Sequence, residues 1–444
     1  MQLVIIFTLY QVIQLLALPV LIIYAISRKL KKKPAVGNLK ERLGFIHKSE
    51  LKPILKLTNP FEVSLSNHTN VIWIHAVSVG EILSIQNLID QIKKNIPNSF
   101  CYVTTGTTTG KKIALENLNC DHVSFLPFDF LPSMLLAFKR IKPSSVIILE
   151  AEIWPNFLIL TKWLKVPTYS LNARISERSK PRYQKFKFIF TPLFNIFKRI
   201  LVQSQQDKIN FENLGVNPQK LSILGNIKAL NVLVKKEKLP KQDLSKAPFQ
   251  TLLIGSIHPG ELDIYLDMFK ELKHNFTNLK LILAPRHFNW KNELINKVKS
   301  SKFNYYLWEK ESPDLNTIFN TNDILVVCRL GELFKLYQLS NIFFLGGTFV
   351  PIGGHNLLEP AVWSKPSIIG PYYHNCKDIA DKLEKENALI KAKDPKELLL
   401  QTQKLLNNSK LEKQMGQSAN AWLEKEASFV QENIEQLLIK LKSQ

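Results

Sequence analysis

Cysteine is scarce in this 444-residue chain, and Cys101, Cys120, Cys328 and Cys376 are too widely spaced for a CxxC pair. That excludes a zinc knuckle or a disulfide scaffold and points to reduced thiols. Glycine is also sparse, with 16 residues gathered largely into short clusters, which makes those clusters informative. Arginine supplies only 9 of the 59 basic residues, and acidic residues number 37. The resulting net charge of +22, carried mostly by lysine, predicts an anionic environment, either nucleic acid or a membrane surface. A lysine-rich, Ile/Asn-rich chain is also what a coding bias produces. An apolar fraction of 45% excludes a disordered chain, and the length allows two to four domains.

The one long uncharged run lies at the start. Leu3 to Ile26 holds no charged residue, and Arg28, Lys29, Lys31, Lys32 and Lys33 follow. As a helix the run is about 36 Å long, enough for a ~30 Å hydrocarbon core. A cleaved signal peptide would carry its charges before the apolar run. Residues 1–33 are therefore expected to be a membrane anchor with its basic flank on the cytoplasmic side. An interfacial helix and a buried soluble helix are the alternatives.

Beyond it, short β-rich runs alternate with helical patterns. Strands are expected at 71–76, 100–104, 146–149, 168–171 and 200–203, with helices over 81–94, from about 110, after Pro155 and over 205–214. A polar, Lys-rich stretch with two prolines, 235–249, marks a break. The pattern then resumes, with strands at 251–255, 281–284, 304–307, 324–327, 342–345 and 367–369 and helices over 259–274 and 290–298. From 394 onward it is almost wholly helical. This alternation predicts an α/β chain with two mostly parallel, doubly wound sheets, whose ligands bind beyond the carboxyl ends of the strands. The expected organisation is an N-terminal domain over 34–230, a linker over 231–250, a second domain over 251–410 and a helical segment over 411–444.

The candidate chemistry clusters at those strand ends. WIHAVSVGE (73–81) runs a strand into Ser78 and Gly80, with Glu81 opening a helix. An acid there is either a helix cap or a base for an alcohol proton, and His75 reads as a satisfied, partly buried histidine. TTGTTTG (104–110), with Thr105 and Gly106, is an anion-tolerant turn or a Thr-rich cap and matches neither phosphate-loop spacing. EAEIWPN (150–156) pairs Glu150 with Glu152, and NARISERS (172–179) offers the Arg174 fork. The segment 180–200 interleaves basic residues with Tyr183 and five phenylalanines, which suits an anionic lipid interface or a surface helix with a buried Phe stripe. In the second half, LGNIK carries Lys228, GSIHPGE (255–261) is a strand-to-helix turn, and APRH carries Arg286 and His287. GGTFVPIGGHNLLEP (346–360) is the richest stretch. Gly353 and Gly354 permit close backbone approach, and a helix expected from about His355 would offer N–H groups to a phosphate. Glu359 is placed to accept both hydroxyls of a ribose.

In this order the motifs resemble those of the lipopolysaccharide-core Kdo (3-deoxy-D-manno-octulosonic acid) transferases. The resemblance rests on WIHAVSVGE, TTGTTTG, EAEIWPN, NARISERS, GNIK (225–228), PRH (285–287), GEL (331–333) and GGTFVPIGGHNLLEPA (346–361), across almost the full chain. It implies a GT-B fold, two Rossmann-like domains facing a cleft, preceded by the anchor helix. It also implies a CMP-Kdo donor, a lipid IVA acceptor, no metal and no cofactor. By residue, it implies Glu81 as general base and Arg174, Lys228, Arg286 and His287 around the donor. Gly353, Gly354, His355, Asn356 and Glu359 fall on the nucleotide side. Ser78, Gly80, Thr105, Gly106 and Glu152 fall on the acceptor side. One departure stands out: Cys328 and Arg329 occupy places where the family usually has an Asp-Thr pair, and Arg329 either adds positive potential or replaces a structural cap. The partners implied are the anionic inner-membrane surface and no nucleic acid. A GT-B enzyme using another nucleotide sugar and a non-enzymatic lipid-binding module are the competing readings.

Overall fold

The computed structural model describes residues 2–30, 38–45, 70–176, 179–239, 249–310 and 315–442. The basic flank at 31–33, most of the break at 240–248, and Glu177–Arg178 lie outside the described residues. The chain divides into two compact units, one of Met1–Asn231 with Ala427–Gln444, the other of Val232–Glu426.

The first unit is built on β1 (Val71–His75), β2 (Phe100–Thr105), β3 (His122–Phe125), β4 (Ser145–Leu149), β5 (Thr168–Ala173), β6 (Arg199–Val202) and β7 (Leu221–Ile223). They form an all-parallel sheet in the order β3-β2-β1-β4-β5-β6-β7. β1 and β4 are buried along their whole length, because helices cover both faces, and so read as continuous apolar runs, VIWIH and SVIIL. β1 pairs with β2 on one side and β4 on the other. The strand order reverses there, and a crevice opens beyond the strand ends at such a point.

The second unit repeats the plan with β8 (Gln250–Ile257), β9 (Leu279–Pro285), β10 (Tyr305–Trp308), β11 (Ile324–Val327), β12 (Ile342–Leu345), β13 (Ser367–Ile369) and β14 (Leu389–Lys391), in the order β10-β11-β9-β8-β12-β13-β14. Its reversal point lies between β8 and β12.

Several details differ from expectation. β3, β7 and β14 were not anticipated: they have three or four residues at or near sheet edges and lack an apolar run. The helix expected over 81–94 is two, Val79–Ser84 and Gln86–Asn95. Ser84 Oγ donates to the Glu81 carbonyl at 2.6 Å, competing with the helix ladder at the break. The expected linker opens as helix, since Ile227–Glu237 runs on with Leu230 and Val232 buried. The segment expected over 411–444 is one helix, Ser409–Lys442, and the division between the units passes through it.

The N-terminal run is a helix, Gln2–Leu30, and its window Gln2–Pro19 is long and apolar enough to cross a membrane. The basic–aromatic segment forms helices Lys180–Lys185 and Lys187–Phe194. Tyr183 stacks edge-on against Phe190 and Phe194 in the core, at 4.7 and 5.7 Å, while Phe186 and Phe188 are exposed.

Candidate active site

Three carboxylates collect at the reversal point of the first unit. Glu81 follows β1. Its Oε2 accepts the Val77 N–H at 2.9 Å, and its Oε1 accepts the Ser78 N–H at 3.2 Å and the Ser78 hydroxyl at 2.7 Å. Ser78 in turn caps the Glu81 N–H, completing a capping box. The box aims the carboxylate back at the end of β1 while leaving the residue partly exposed.

Glu150 and Glu152 follow β4. Burial raises both pKa values, with the charge of Glu81 next and, for Glu152, that of Glu150. Arg174 and Lys228 oppose the rise at Glu150. Both cations are exposed, and Asn172 brings their loops together. This residue, the last but one of β5, lies in the left-handed region, φ +58°, and its Oδ1 accepts the Ile227 N–H at 3.4 Å. The Ile175 N–H donates to buried Asp207, which fixes the turn beyond Arg174. Glu150 was absent from the expected site residues, although its motif was noted. Its signal is chemical rather than positional, a second carboxylate two residues from Glu152.

The TTGTTTG turn is occupied by its own packing. Thr105 Oγ1 donates to the Val77 carbonyl at 3.1 Å, and Thr107 caps the helix Thr108–Asn117 through Gly110. A Cβ on Gly106 would lie 2.8 Å from Val77. The Gly106 carbonyl accepts from the buried Arg42 guanidinium at 2.6 Å. The Thr-rich cap is thus what the turn forms, and it holds the β2 end against the loop that carries Ser78 and Gly80. His75 is fully buried rather than partly, with Nδ1 3.1 Å from the Thr104 carbonyl, and burial pulls its pKa down to about 4.

In the second unit Arg286 and His287 follow β9 and are exposed. His258, at the end of β8, stacks on His355 with Nε2 atoms 3.2 Å apart and meets His287 edge-on at 5.9 Å. Burial, then the Arg286 charge, pulls His355 down to about 4. His258 is lowered too, by burial and then by His287 and Arg286. Burial and Arg286 thus disfavour the charged forms of His258 and His355, and the guanidinium beside them is the cation suited to receiving an anion.

The glycine-rich stretch differs from expectation. The helix begins at Leu358, not near His355, and runs only to Val362. Gly353 and Gly354 take left-handed conformations, φ +101° and +69°, which turn the chain sharply there. Their N–H groups both donate to the Gly347 carbonyl, at 2.9 and 3.1 Å, so neither is open to a phosphate. Asn356 caps Leu358 N–H with its side chain at 2.9 Å. Glu359 lies in the helix's first turn with Lys235 Nζ at 3.5 Å and the Tyr337 hydroxyl bonded to it.

The residue that sequence reasoning missed here is Glu261. It is fully buried, and its carboxylate accepts the N–H groups of His258, Gly347, Thr348 and Phe349 at 3.1, 2.6, 3.0 and 2.9 Å. One side chain thus pins the β8 and β12 ends together and sets the position of His258. Cys328 and Arg329 sit at the end of β11. Arg329 Nε lies 3.2 Å from Glu332 Oε1 and the side chain also donates to the Lys310 carbonyl, so it ties its own loop.

Comparisons with known proteins identify the family. Residues 37–231 match the family model described as 3-deoxy-D-manno-octulosonic-acid transferase. The chain is 33% identical to the 3-deoxy-D-manno-octulosonic acid transferase of Aquifex aeolicus over 85% of this chain and 98% of that protein. It is 30% identical to the enzyme of the same name from Rickettsia bellii, over 96% and 98%. Among solved structures, the UDP-GlcNAc 2-epimerase of Neisseria meningitidis superposes with a TM-score of 0.59 at 12% identity, covering 84% of this chain and all of that one, a likeness of fold. The fold is a GT-B-like pair of parallel-sheet domains with one long apolar N-terminal helix. The chain belongs to the 3-deoxy-D-manno-octulosonic acid (Kdo) transferase family of glycosyltransferases.

Proposed function

We propose that the protein transfers Kdo from CMP-Kdo to a lipid IVA-like acceptor at the cytoplasmic face of the inner membrane, with inversion and with Glu81 as general base. The observation that carries the reading is the Glu81 carboxylate, aimed by its capping box at the reversal point of the first sheet and partly exposed beside Glu150 and Glu152.

The acceptor hydroxyl oxygen attacks the anomeric C2 of Kdo. Its proton passes to Glu81, the C2–O bond to phosphate breaks, and CMP leaves with the electron pair. Burial and then the Glu81 charge favour the protonated forms of Glu150 and Glu152. Ser78, Gly80 and Glu152 line the acceptor side. Thr105 and Gly106 shape it from behind, their polar atoms being engaged with protein.

On the donor side Arg286, His287 and His355 receive the phosphate and sugar carboxylate, while Arg174 and Lys228 add positive charge next to Glu150. Glu359 takes the ribose diol, held meanwhile by Lys235 and Tyr337. Gly353, Gly354 and Asn356 shape this pocket through their turn rather than by offering free N–H groups.

The test is transfer from CMP-Kdo to lipid IVA by membrane-reconstituted protein, with products resolved by mass. Product from wild type and its loss in Glu81→Gln support donor, acceptor and base together. No product from folded wild type sends the assignment to another nucleotide sugar. Transfer that survives in Glu81→Gln removes the base.

A further inference from the structure

The N-terminal helix makes contacts that a free-standing span would not. Ile6 is buried, Leu3 and Phe7 pack on the core of the first unit, and Phe7 meets Trp163 edge-on at 4.7 Å. One turn further, three polar residues leave the apolar run on the same side. Tyr10 Oη donates to Asp129 Oδ2 at 3.0 Å, Gln11 Nε2 to Asn156 Oδ1 at 2.5 Å, and Gln14 Nε2 to the Asp129 carbonyl at 2.7 Å. Asn156 returns a bond to Gln14 Oε1 at 3.1 Å. Asp129 and Asn156 are themselves buried, and Asp129 also accepts the N–H groups of Asn156 and Phe157. The helix therefore docks sideways through a polar latch.

The chain after the helix returns to the same place. Glu41 accepts the Phe125 N–H at 2.9 Å, and Arg42 donates to the Leu126 carbonyl at 2.9 Å. Residues 10–14 and residues 41–42 thus both fasten to the short stretch 125–129. From Gln14 to Leu30 the helix rises only about 24 Å, less than a ~30 Å hydrocarbon core. From Leu30 to Asn38 the chain spans at most about 29 Å. Neither end of the helix is far enough from the body to stand across a bilayer from it.

The face turned away from the latch is apolar and open, with Ile5, Leu9, Ile13 and Leu16 exposed. Trp163 and Leu164, beside Phe7, are exposed as well. Phe188 is exposed on the helix Lys187–Phe194, which also touches the N-terminal helix. Arg28, Lys29 and Lys31–Lys33 follow in the chain. An apolar helix face followed in the chain by a cluster of basic residues is the pattern of a helix lying in an anionic leaflet.

Resting on the membrane location proposed above, we propose that Gln2–Leu30 lies in one leaflet as a docked part of the first unit, with its N-terminus on the same side of the membrane as the body. This takes the interfacial alternative rather than the single crossing anchor expected from the sequence.

The test uses the full chain bearing a short N-terminal epitope, in sealed inside-out inner-membrane vesicles treated with protease. The expected result is that epitope and body are cleaved together. An epitope protected while the body is cleaved overturns the proposal. The variant Tyr10→Phe/Gln11→Leu/Gln14→Leu is more apolar and lacks the latch, so its epitope is expected to become protected. An epitope that stays accessible in this variant overturns the latch. Wild-type chain that fails to float with vesicles containing anionic phospholipid refutes the membrane reading itself, a failure distinct from the topology result.

Discussion

The two sheets carry the same small motif at the same place and use it in opposite ways. Each central strand, β1 and β8, ends a few residues before a Gly-Glu pair, Gly80–Glu81 and Gly260–Glu261. In both, the carboxylate accepts the N–H of the residue three positions earlier, Ser78 at 3.2 Å and His258 at 3.1 Å. Glu81 then stays partly exposed. Glu261 is sealed and saturated by three further N–H groups from 347–349. An acid after a strand is therefore not in itself a catalytic signal. What separates the two is burial: Glu81 remains open to solvent and Glu261 does not.

The sharpest way to break the comparison is to neutralise each acid in turn. Glu81→Gln is expected to lower transfer about 10²–10⁴-fold with little change in thermal midpoint, read by product mass and calorimetry. Glu261→Ala is expected to do the reverse first. It strands four buried N–H donors and destabilises the protein by about 3 kcal/mol or more, read as a lower denaturant midpoint. If Glu261→Ala keeps its stability, or Glu81→Gln keeps its activity, the assignment of roles fails.

A second contrast is between histidines. His75 is fully buried with a pKa of about 4, whereas an unfolded histidine titrates near 6.5. The unfolded chain therefore binds the proton first. The stability is present above pH 6.5 and is lost as pH falls through 4, up to about 3 kcal/mol from this residue. Denaturant titrations of wild type and His75→Gln across that window should converge at low pH. The half-exposed His355, also lowered, should shift donor affinity over the same range more than it shifts stability.

Smaller effects sharpen the electrostatics. Glu150→Gln removes a carboxylate whose ionisation burial and Glu81 oppose, so its thermal midpoint at pH 7 should rise slightly while transfer falls. Arg329→Ala should cost less than about 1 kcal/mol, because its ion pair with Glu332 is partly exposed on the arginine side, and donor affinity should stay the same. A large loss of donor affinity would instead show that Arg329 adds positive potential at the donor.

The central strands were readable because a strand covered on both faces is a bare apolar run, as in VIWIH and ILVV, and the acids and cations beyond them stood out against it. The edge strands β3 and β7 were not, since a serine breaks the apolar run in HVSF and in LSI. The fate of individual lone pairs was also invisible. Whether Gly353 N–H meets a ligand or the Gly347 carbonyl depends on a turn closed by residues far along the chain. The N-terminal run illustrates the same limit: the partners of Tyr10, Gln11 and Gln14 lie more than a hundred residues away, beyond any local pattern.

Glu150 holds a left-handed backbone, φ +57°, that a side chain enters at a cost of about 1 kcal/mol. Glycine would relieve it. A selection for heat resistance alone would thus be drawn to Glu150→Gly, gaining melting temperature by deleting a carboxylate from the proposed reaction centre. Anyone evolving a hardier version of this enzyme must screen for turnover at every round, because one of its readiest routes to robustness leads away from catalysis.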